Sequence, residues 1–546
     1  MNLSGIGVSP GVVVGTIHRY VHAVIDQPVA ATAHEVFAAL DSVATDLEQR
    51  AEAVTLAVAK EVLGAQAMIA RDPALVEAIA ARLLDDKIHP DVRGAITDAF
   101  AGFRDALLSL GGYFAERVAD LDEIRDRTVA RLSGLETSAL TLSKPGVIVA
   151  TDLTPADTAA LDLDFALALV VERGGPTSHT AIVARGLGIP AIVGCSGILD
   201  LDDDAHILVD GRDGVVIVSP SSDEVSSRQV KEESLRARAA AVTGPGRLSD
   251  GTPIALMANA GNEHDAIAAA AAGAEGIGLF RTELLFLDRT TEPTVEEQIH
   301  MYSRVFAAMP GLKVILRTLD AGSDKPVPFL NVIAEENPAL GVRGWRLTRI
   351  ANDVLERQLE AIGKASVACD ADVWVMAPMI DLPEEAQDFA RRARAHGIKH
   401  VGVMIETPAA AMLADKVIAE VDFASLGTND LTQYVMAADR LDSRLSDLTS
   451  TWHPSVLRVI HQAASSAAAL SAPIGVCGES AASPHLAAIL LGLGVTSLSM
   501  APSAIAEVRG YLAGVDRPTC VHAASLVLNA RSAQEAREIA VAILGE

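Results

Sequence analysis

Eight short apolar runs, each followed by a helical stretch, constrain the fold of this chain more than any other feature. They are Ile254–Ala258, Gly276–Phe280, Val314–Arg317, Val373–Ala377, Val401–Ile405, Phe423–Leu426, Ile474–Cys477 and Thr496–Met500. Short apolar strands alternating with helices pair in parallel and keep their helices outside, so eight units in succession predict a (β/α)8 barrel beginning near Ser249. In such a barrel chemistry sits at the C-terminal strand ends. Polar residues gather at those ends here. Arg281-Thr282-Glu283 follows the second strand, Arg317-Thr318-Leu319-Asp320 ends the third, and Glu406-Thr407-Pro408 follows the fifth. Thr428-Asn429-Asp430 follows the sixth, with Asp439-Arg440 a little beyond it, and Cys477-Gly478-Glu479 ends the seventh. Arginines match phosphate and carboxylate oxygens in pairs. Two carboxylates suffice for Mg2+ when substrate and water complete its shell. A substrate bearing both phosphate and carboxylate suits this set.

The upstream texture differs. From about Pro28 to Leu135 the pattern is helical, with Leu47, Ala51, Val54, Val58 and Val62 at three- and four-residue steps, which predicts a bundle of about four helices. From Lys144 to Pro220 strand-like segments return at Gly146–Ala150, Phe165–Val171, His206–Gly211 and Gly214–Val218, and the first twenty residues share that character. A compact α/β domain that includes the N-terminus, with the helical segment inserted, accounts for both. Residues 221–243, rich in Ser, Arg, Lys and Glu, read as a linker helix.

Charge narrows the function. The formal net charge is −27, and residues 21–135 alone hold 11 Lys and Arg against 19 Asp and Glu, a net of −8. Such a surface repels nucleic acid and anionic lipid and suits a protein partner with a basic face. No apolar run is long enough for a membrane span, and the first residues lack a secretory signal, so a cytoplasmic protein is expected. The four cysteines, Cys195, Cys369, Cys477 and Cys520, have neither disulfide-framework nor zinc spacing.

Three long motifs carry a resemblance. Gly276–Glu283, Ile405–Pro408 and Gly427–Tyr434 resemble the barrel of the phosphoenolpyruvate-utilising family, shared by Enzyme I of the bacterial phosphotransferase system, pyruvate phosphate dikinase and phosphoenolpyruvate synthase. The opening Gly5–Gly11 extends the resemblance through the whole chain. It implies that Arg281, Arg317 and Arg440 hold the phosphate and carboxylate of phosphoenolpyruvate, assisted by Asn429 and the Asp430 backbone, with Arg343 a further positive contact. Glu406 and Asp430 would ligate Mg2+, and Cys477 occupies the position of the family's proton donor to the enolate.

Gly174–Arg185 resembles the phosphohistidine loop of the same family and makes His179 the phosphate carrier. The residues support that reading independently. Two glycines permit a tight turn beside a bulky phosphoryl group. Thr177 and Ser178 are good N-caps for a helix running to about Arg185 and ending near Gly186 or Gly188. A helix N-terminus favours phosphate, and neutral imidazole is a competent nucleophile.

The resemblance implies the following organisation. Residues 1–24 and 136–222 form a swivelling α/β phosphohistidine domain, and 25–135 an inserted all-α bundle that docks the carrier HPr. Residues 223–248 form the linker helix, and 249–546 a (β/α)8 TIM-type barrel that binds phosphoenolpyruvate and forms a homodimer. Because His179 and the barrel mouth fall in different domains, the histidine domain is expected to swing between donor and acceptor. The alternatives are an idle regulatory scaffold on the same fold, or a dikinase- or synthase-like enzyme. The latter needs a large ATP-binding domain ahead of the histidine, and no glycine-rich phosphate loop precedes His179. Pro176, Ser323 and Gln66 depart from the family's commonest residues and bear on carrier choice rather than on the chemistry.

Overall fold

A computed structural model describes residues 2–20, 29–53, 57–83, 91–110, 118–134, 144–153, 157, 161, 164–175, 178–286, 289, 291–322, 327–330, 335–440, 445 and 447–545. The chain divides into two compact units, Met1–Glu233 and Ser234–Glu546.

In the first unit, strands β1 (Asn2–Ser4), β2 (Ile6–Ser9), β3 (Val12–Tyr20), β4 (Gly146–Ala150), β5 (Ala166–Val171), β6 (Ala191–Val193), β7 (His206–Asp210) and β8 (Val215–Val218) make one sheet. Its order is β1-β8-β7-β3-β4-β5-β6-β2. The run from β3 through β6 is parallel and both flanks are antiparallel. Strand β4 is apolar throughout because both its faces are covered. Val147 and Val149 enter one core with Val170, Ile207 and Val209, while Ile148 and Ala150 enter another with Leu169 and Val171. Strand β6, three residues behind Pro190, was not among the expected strands. Gly211 marks a close approach of two backbones, since a Cβ there would lie 2.1 Å from the Ser9 carbonyl oxygen.

The chain leaves this sheet at Tyr20 and returns at Gly146 to pair in parallel with the strand it left. Between them lie helices Ala33–Ala53, Ala57–Ala70, Pro73–Leu83, Val92–Leu110 and Val118–Leu132. Thr32 and Glu35 cap the first of these reciprocally, the Glu35 N–H donating to Thr32 Oγ1 and the Thr32 N–H to Glu35 Oε2. Val36, Leu40, Leu47, Leu63, Ile96 and Phe100 are among its core residues. Of the residues at helical spacing, Leu47 and Ala51 belong to one of these helices and Val58 and Val62 to the next, while Val54 lies outside the described residues. Gln66 is fully buried, donating to Asp120 Oδ1 at 2.9 Å and Glu123 Oε2 at 3.0 Å, and therefore presents nothing to a partner. Arg127 pairs with Glu123 at 2.7 Å and Asp157 at 3.5 Å, and the Tyr20 hydroxyl donates to Asp157, so buried charge joins the helices to the sheet.

Helix Ser222–Ala241 stands where the linker helix was expected, and the boundary between the two units falls within it. In the second unit, β9 (Ala255–Ala260), β10 (Gly276–Arg281), β11 (Lys313–Arg317), β12 (Asp372–Ala377), β13 (His400–Ile405), β14 (Phe423–Leu426), β15 (Ile474–Val476) and β16 (Ser497–Met500) close into a parallel barrel. Each lies within two residues of its expected position. Met257, Leu279, Ile315, Met376, Met404, Phe423 and Cys477 fill the interior, and the larger apolar core lies between strands and outer helices. Among the described residues no helix is long and apolar enough to cross a membrane.

Candidate active site

Several strands deliver a polar residue to the C-terminal end of the barrel. Arg317 ends β11 at 6% exposure, and Glu406 follows β13 with none. Cys477 follows β15 at 3% exposure, while Arg281 ends β10 in the open. Asn429 and Asp430 occupy the first turn of helix Thr428–Met436, where backbone N–H groups lack intrahelical acceptors. Arg343 precedes the short helix Gly344–Leu347 and is 1% exposed, and Arg440 is partly exposed beyond Met436.

Ion pairs draw these groups together. Asp320 Oδ2 lies 3.1 Å from Arg317 Nη1 and 2.9 Å from Arg343 Nη2. Arg343 Nη1 lies 3.1 Å from Asp430 Oδ1, and Arg440 Nη1 is 3.6 Å from Asp430 Oδ2. Arg317 also pairs with Glu283. Burial works against the Arg317 charge, but Glu283, Asp320 and Glu406 outweigh it and hold the guanidinium more firmly protonated. Asp320 and Glu283 stood within the sequence motifs without an assigned role. Asp320 pairs with Arg317 three residues before it and with Arg343 in the same connection between β11 and β12, and Glu283 follows the strand next to that of Arg317.

Glu406 is fully buried and strongly perturbed. Its Oε1 accepts the Met379 N–H at 2.6 Å, while its Oε2 is buried with no hydrogen-bond partner among the described residues. Burial, followed by the nearby charges of Asp430 and Asp320, pushes its carboxyl up to about 7 against the opposing pull of Arg317 and Arg343. Gly427 packs against it, since a Cβ there would sit 2.7 Å from Glu406 Oε2. An orphaned buried carboxylate oxygen with a second acid close by suits a divalent cation, whose charge would relieve both. Among the described residues no group of three or more His, Cys, Asp or Glu side chains could hold a metal, so a cation here depends on substrate and water for its remaining ligands. Arg317 Nε and Glu283 Oε2 are likewise buried without hydrogen-bond partners.

Cys477 faces the same cluster. Its Sγ lies 3.6 Å from the Leu426 carbonyl, and the Asn259 amide donates to the Cys477 carbonyl at 3.2 Å. Burial raises its pKa, with Glu406 adding to the effect and Ser425, Arg317 and Arg281 opposing it. The thiol is therefore the resting form. Asn429 Oδ1 accepts the Glu479 N–H at 3.3 Å, binding the sixth strand end to the seventh.

The first unit contains the second site. Helix His179–Leu187 has Ser178 as its N-cap, the Ser178 hydroxyl accepting from the Ala181 N–H, and His179 is its first residue. The helix runs to Leu187 and ends at Gly188, left-handed at φ 70°, one of the two glycines expected to end it. Gly174 is also left-handed, at φ 95°, and a Cβ at Gly175 would meet nothing within 4 Å, so the turn before the helix has open space beside it. Pro176, Thr177 and Ser323 lie outside the described residues. Thr180, beside His179, donates through its hydroxyl to Asp152 Oδ1 at 3.2 Å. The free N–H groups of the first turn favour an anion.

Three family models match the chain, described as the N-terminal part of a phosphoenolpyruvate-utilising enzyme (residues 4–117), its mobile domain (142–214) and its phosphoenolpyruvate-binding domain (236–517). A phosphoenolpyruvate-protein phosphotransferase of Streptomyces coelicolor is 43% identical over 553 residues, covering 99% of both chains. One of Lactococcus lactis is 35% identical over 544 residues, covering 94% of each. The solution structure of an Enzyme I protein is 28% identical, with a TM-score of 0.37, and covers 43% of this chain and 99% of that one.

Proposed function

Given that the chain belongs to the phosphoenolpyruvate-utilising enzymes, we propose that it takes the phosphoryl group of phosphoenolpyruvate onto His179 and passes it to the carrier HPr, releasing pyruvate. Its activity is that of a phosphotransferase acting on protein. One observation carries the assignment of roles: the barrel mouth holds buried polar atoms of both signs, Glu406 Oε2 and Arg317 Nε, without hydrogen-bond partners among the described residues. Buried groups of that kind are costly until something pairs with them. A doubly anionic substrate and a cation supply both complements at once.

In this reading Arg281, Arg317 and Arg440 bind the substrate's phosphate and carboxylate, with Arg343 adding positive charge behind them. Asn429 and the Asp430 N–H, at a helix N-terminus, contribute hydrogen bonds. Glu406 and Asp430 are the residues that would hold Mg2+, which when bound neutralises charge on the phosphate oxygens. The arginines stabilise charge that builds on the bridging and equatorial oxygens as the phosphoryl group moves in line to the imidazole of His179. Cys477, kept protonated by burial, gives its proton to C3 of the enolate and so fixes the product as pyruvate. His179 then offers the group to HPr, with the acidic helices between β3 and β4 as the docking element. The cytoplasm is the proposed compartment, in keeping with four free cysteines. A homodimer through the barrels is part of the same proposal.

Pyruvate release in a single turnover tests these roles. The native chain with phosphoenolpyruvate and Mg2+ should yield about one pyruvate per chain, and His179→Ala should yield none. Cys477→Ala should phosphorylate His179 yet form pyruvate slowly. Pyruvate formation unchanged in Cys477→Ala would remove the thiol from the reaction.

A further inference from the structure

The barrel has a second opening, at the end away from the mouth. Side chains at the starts of the strands are small on one side, Ala255 on β9, Gly475 on β15 and Ser497 on β16, where barrel interiors ordinarily stack bulky branched residues. They face Lys313 on β11, Trp374 on β12 and Phe423 on β14 across a cavity of about 260 Å3. That volume lies near the low end of the roughly 300–1,000 Å3 typical of small-molecule sites. Met257 and Ile315 lie deeper along the same cavity, toward the catalytic end.

Lys313 gives this cavity its chemistry. Its Nζ sits 3.4 Å from the centre of the Trp374 ring, and among the described residues no acid lies within ion-pair reach of it. Two nearby acids are already engaged. Glu275 Oε2 accepts the N–H groups of Gly246 and Leu256, and Asp372 accepts the Trp374 indole N–H at 2.8 Å. Burial lowers the Lys313 pKa against the opposing influence of Asp372. Trp374 is also stacked on His400 with ring centres 4.7 Å apart, and Phe423 packs against it at 4.8 Å.

We propose that the N-terminal end of the barrel is a binding site for a small monocarboxylate with a compact apolar body, its carboxylate on Lys313 and its body against Phe423, Ile315 and Met257. A half-buried ammonium with an aromatic face and no acid partner is matched by one carboxylate. A phosphate ester would bring more charge than one ammonium can answer. The cavity is too small for a nucleotide, and its apolar walls disfavour a sugar.

Calorimetric titration of the full chain with benzoate tests the proposal. Benzoate should bind equally with phosphoenolpyruvate absent or saturating, because the two ends of the barrel are separate. Lys313→Met should weaken binding roughly ten- to a hundredfold, the range expected for losing a charge-assisted contact. Ala255→Leu, which narrows the cavity without touching the charge, should weaken binding, and both variants should keep phosphoenolpyruvate-dependent phosphorylation. Absence of binding up to about 10 mM overturns the proposal, as the cavity then holds solvent only. Equal affinity in Lys313→Met, or displacement by phosphoenolpyruvate, overturns it by placing benzoate elsewhere.

Discussion

Asp320→Asn probes the charge balance on which the mouth depends. Asp320 is 1% exposed and lies within 3.1 Å of Arg317 and 2.9 Å of Arg343, so the substitution keeps its shape and removes the shared countercharge of two buried guanidiniums. Breaking a buried ion pair by neutralising one partner costs about 3–5 kcal/mol. Each arginine retains another acid, Glu283 for Arg317 and Asp430 for Arg343, which places the cost near 3 kcal/mol, the low end of that range. The second unit, Ser234–Glu546, has about 300 residues, and at about 2.1 cal/mol/K each its unfolding entropy is roughly 0.65 kcal/mol/K. Its melting temperature should therefore fall by about 5 °C in differential scanning calorimetry. The double variant Asp320→Asn/Arg343→Met should recover about half of that loss, because it leaves fewer buried charges unmatched. A single variant within about 1 °C of the native chain, or a double variant whose losses simply add, would refute the reasoning.

Three further outcomes are expected. Gly427→Ala, whose new Cβ would meet Glu406 Oε2 at 2.7 Å and displace it, should weaken Mn2+ binding by electron paramagnetic resonance without changing any proposed ligand residue; unchanged binding would detach Glu406 from the metal. Gly188→Ala puts a side chain into open space at φ 70°, so its cost should be purely conformational, about 1 kcal/mol in denaturant unfolding of the first unit, and a stabilising effect would contradict the left-handed cap. Cys195 and Cys520, buried and pushed up to about 11, hold only about 0.1% thiolate at pH 8, so iodoacetamide should reach partly exposed Cys369 first, and mass-spectrometric labelling of the buried pair at a similar rate would contradict the burial.

The sequence announced the barrel because a parallel strand buried on both faces is a continuous apolar run, legible without knowing its neighbours. Strand β6 escaped notice because three residues behind a proline make too short a signal. Strand-end motifs located Arg317, Glu406, Asp430 and Cys477, but not the pairing of Arg317 with Glu283, 34 residues away, nor Asp320 shared between two arginines. The first depends on which strand lies beside β11, and the second on how the connection after β11 folds back to bring Arg343 to Asp320. The cavity beneath Lys313 is less legible still, since it arises from side-chain sizes at matched heights on separate strands.

The most direct measurement of the central proposal locates the transferred phosphate. The native chain would be incubated with phosphoenolpyruvate labelled on phosphorus, with and without Mg2+, and then mixed with HPr. Acid-labile label that requires Mg2+, maps to His179 by mass spectrometry, vanishes in His179→Ala and moves onto HPr is the predicted result. Label that persists in His179→Ala, or a folded chain that takes none from phosphoenolpyruvate, would contradict it.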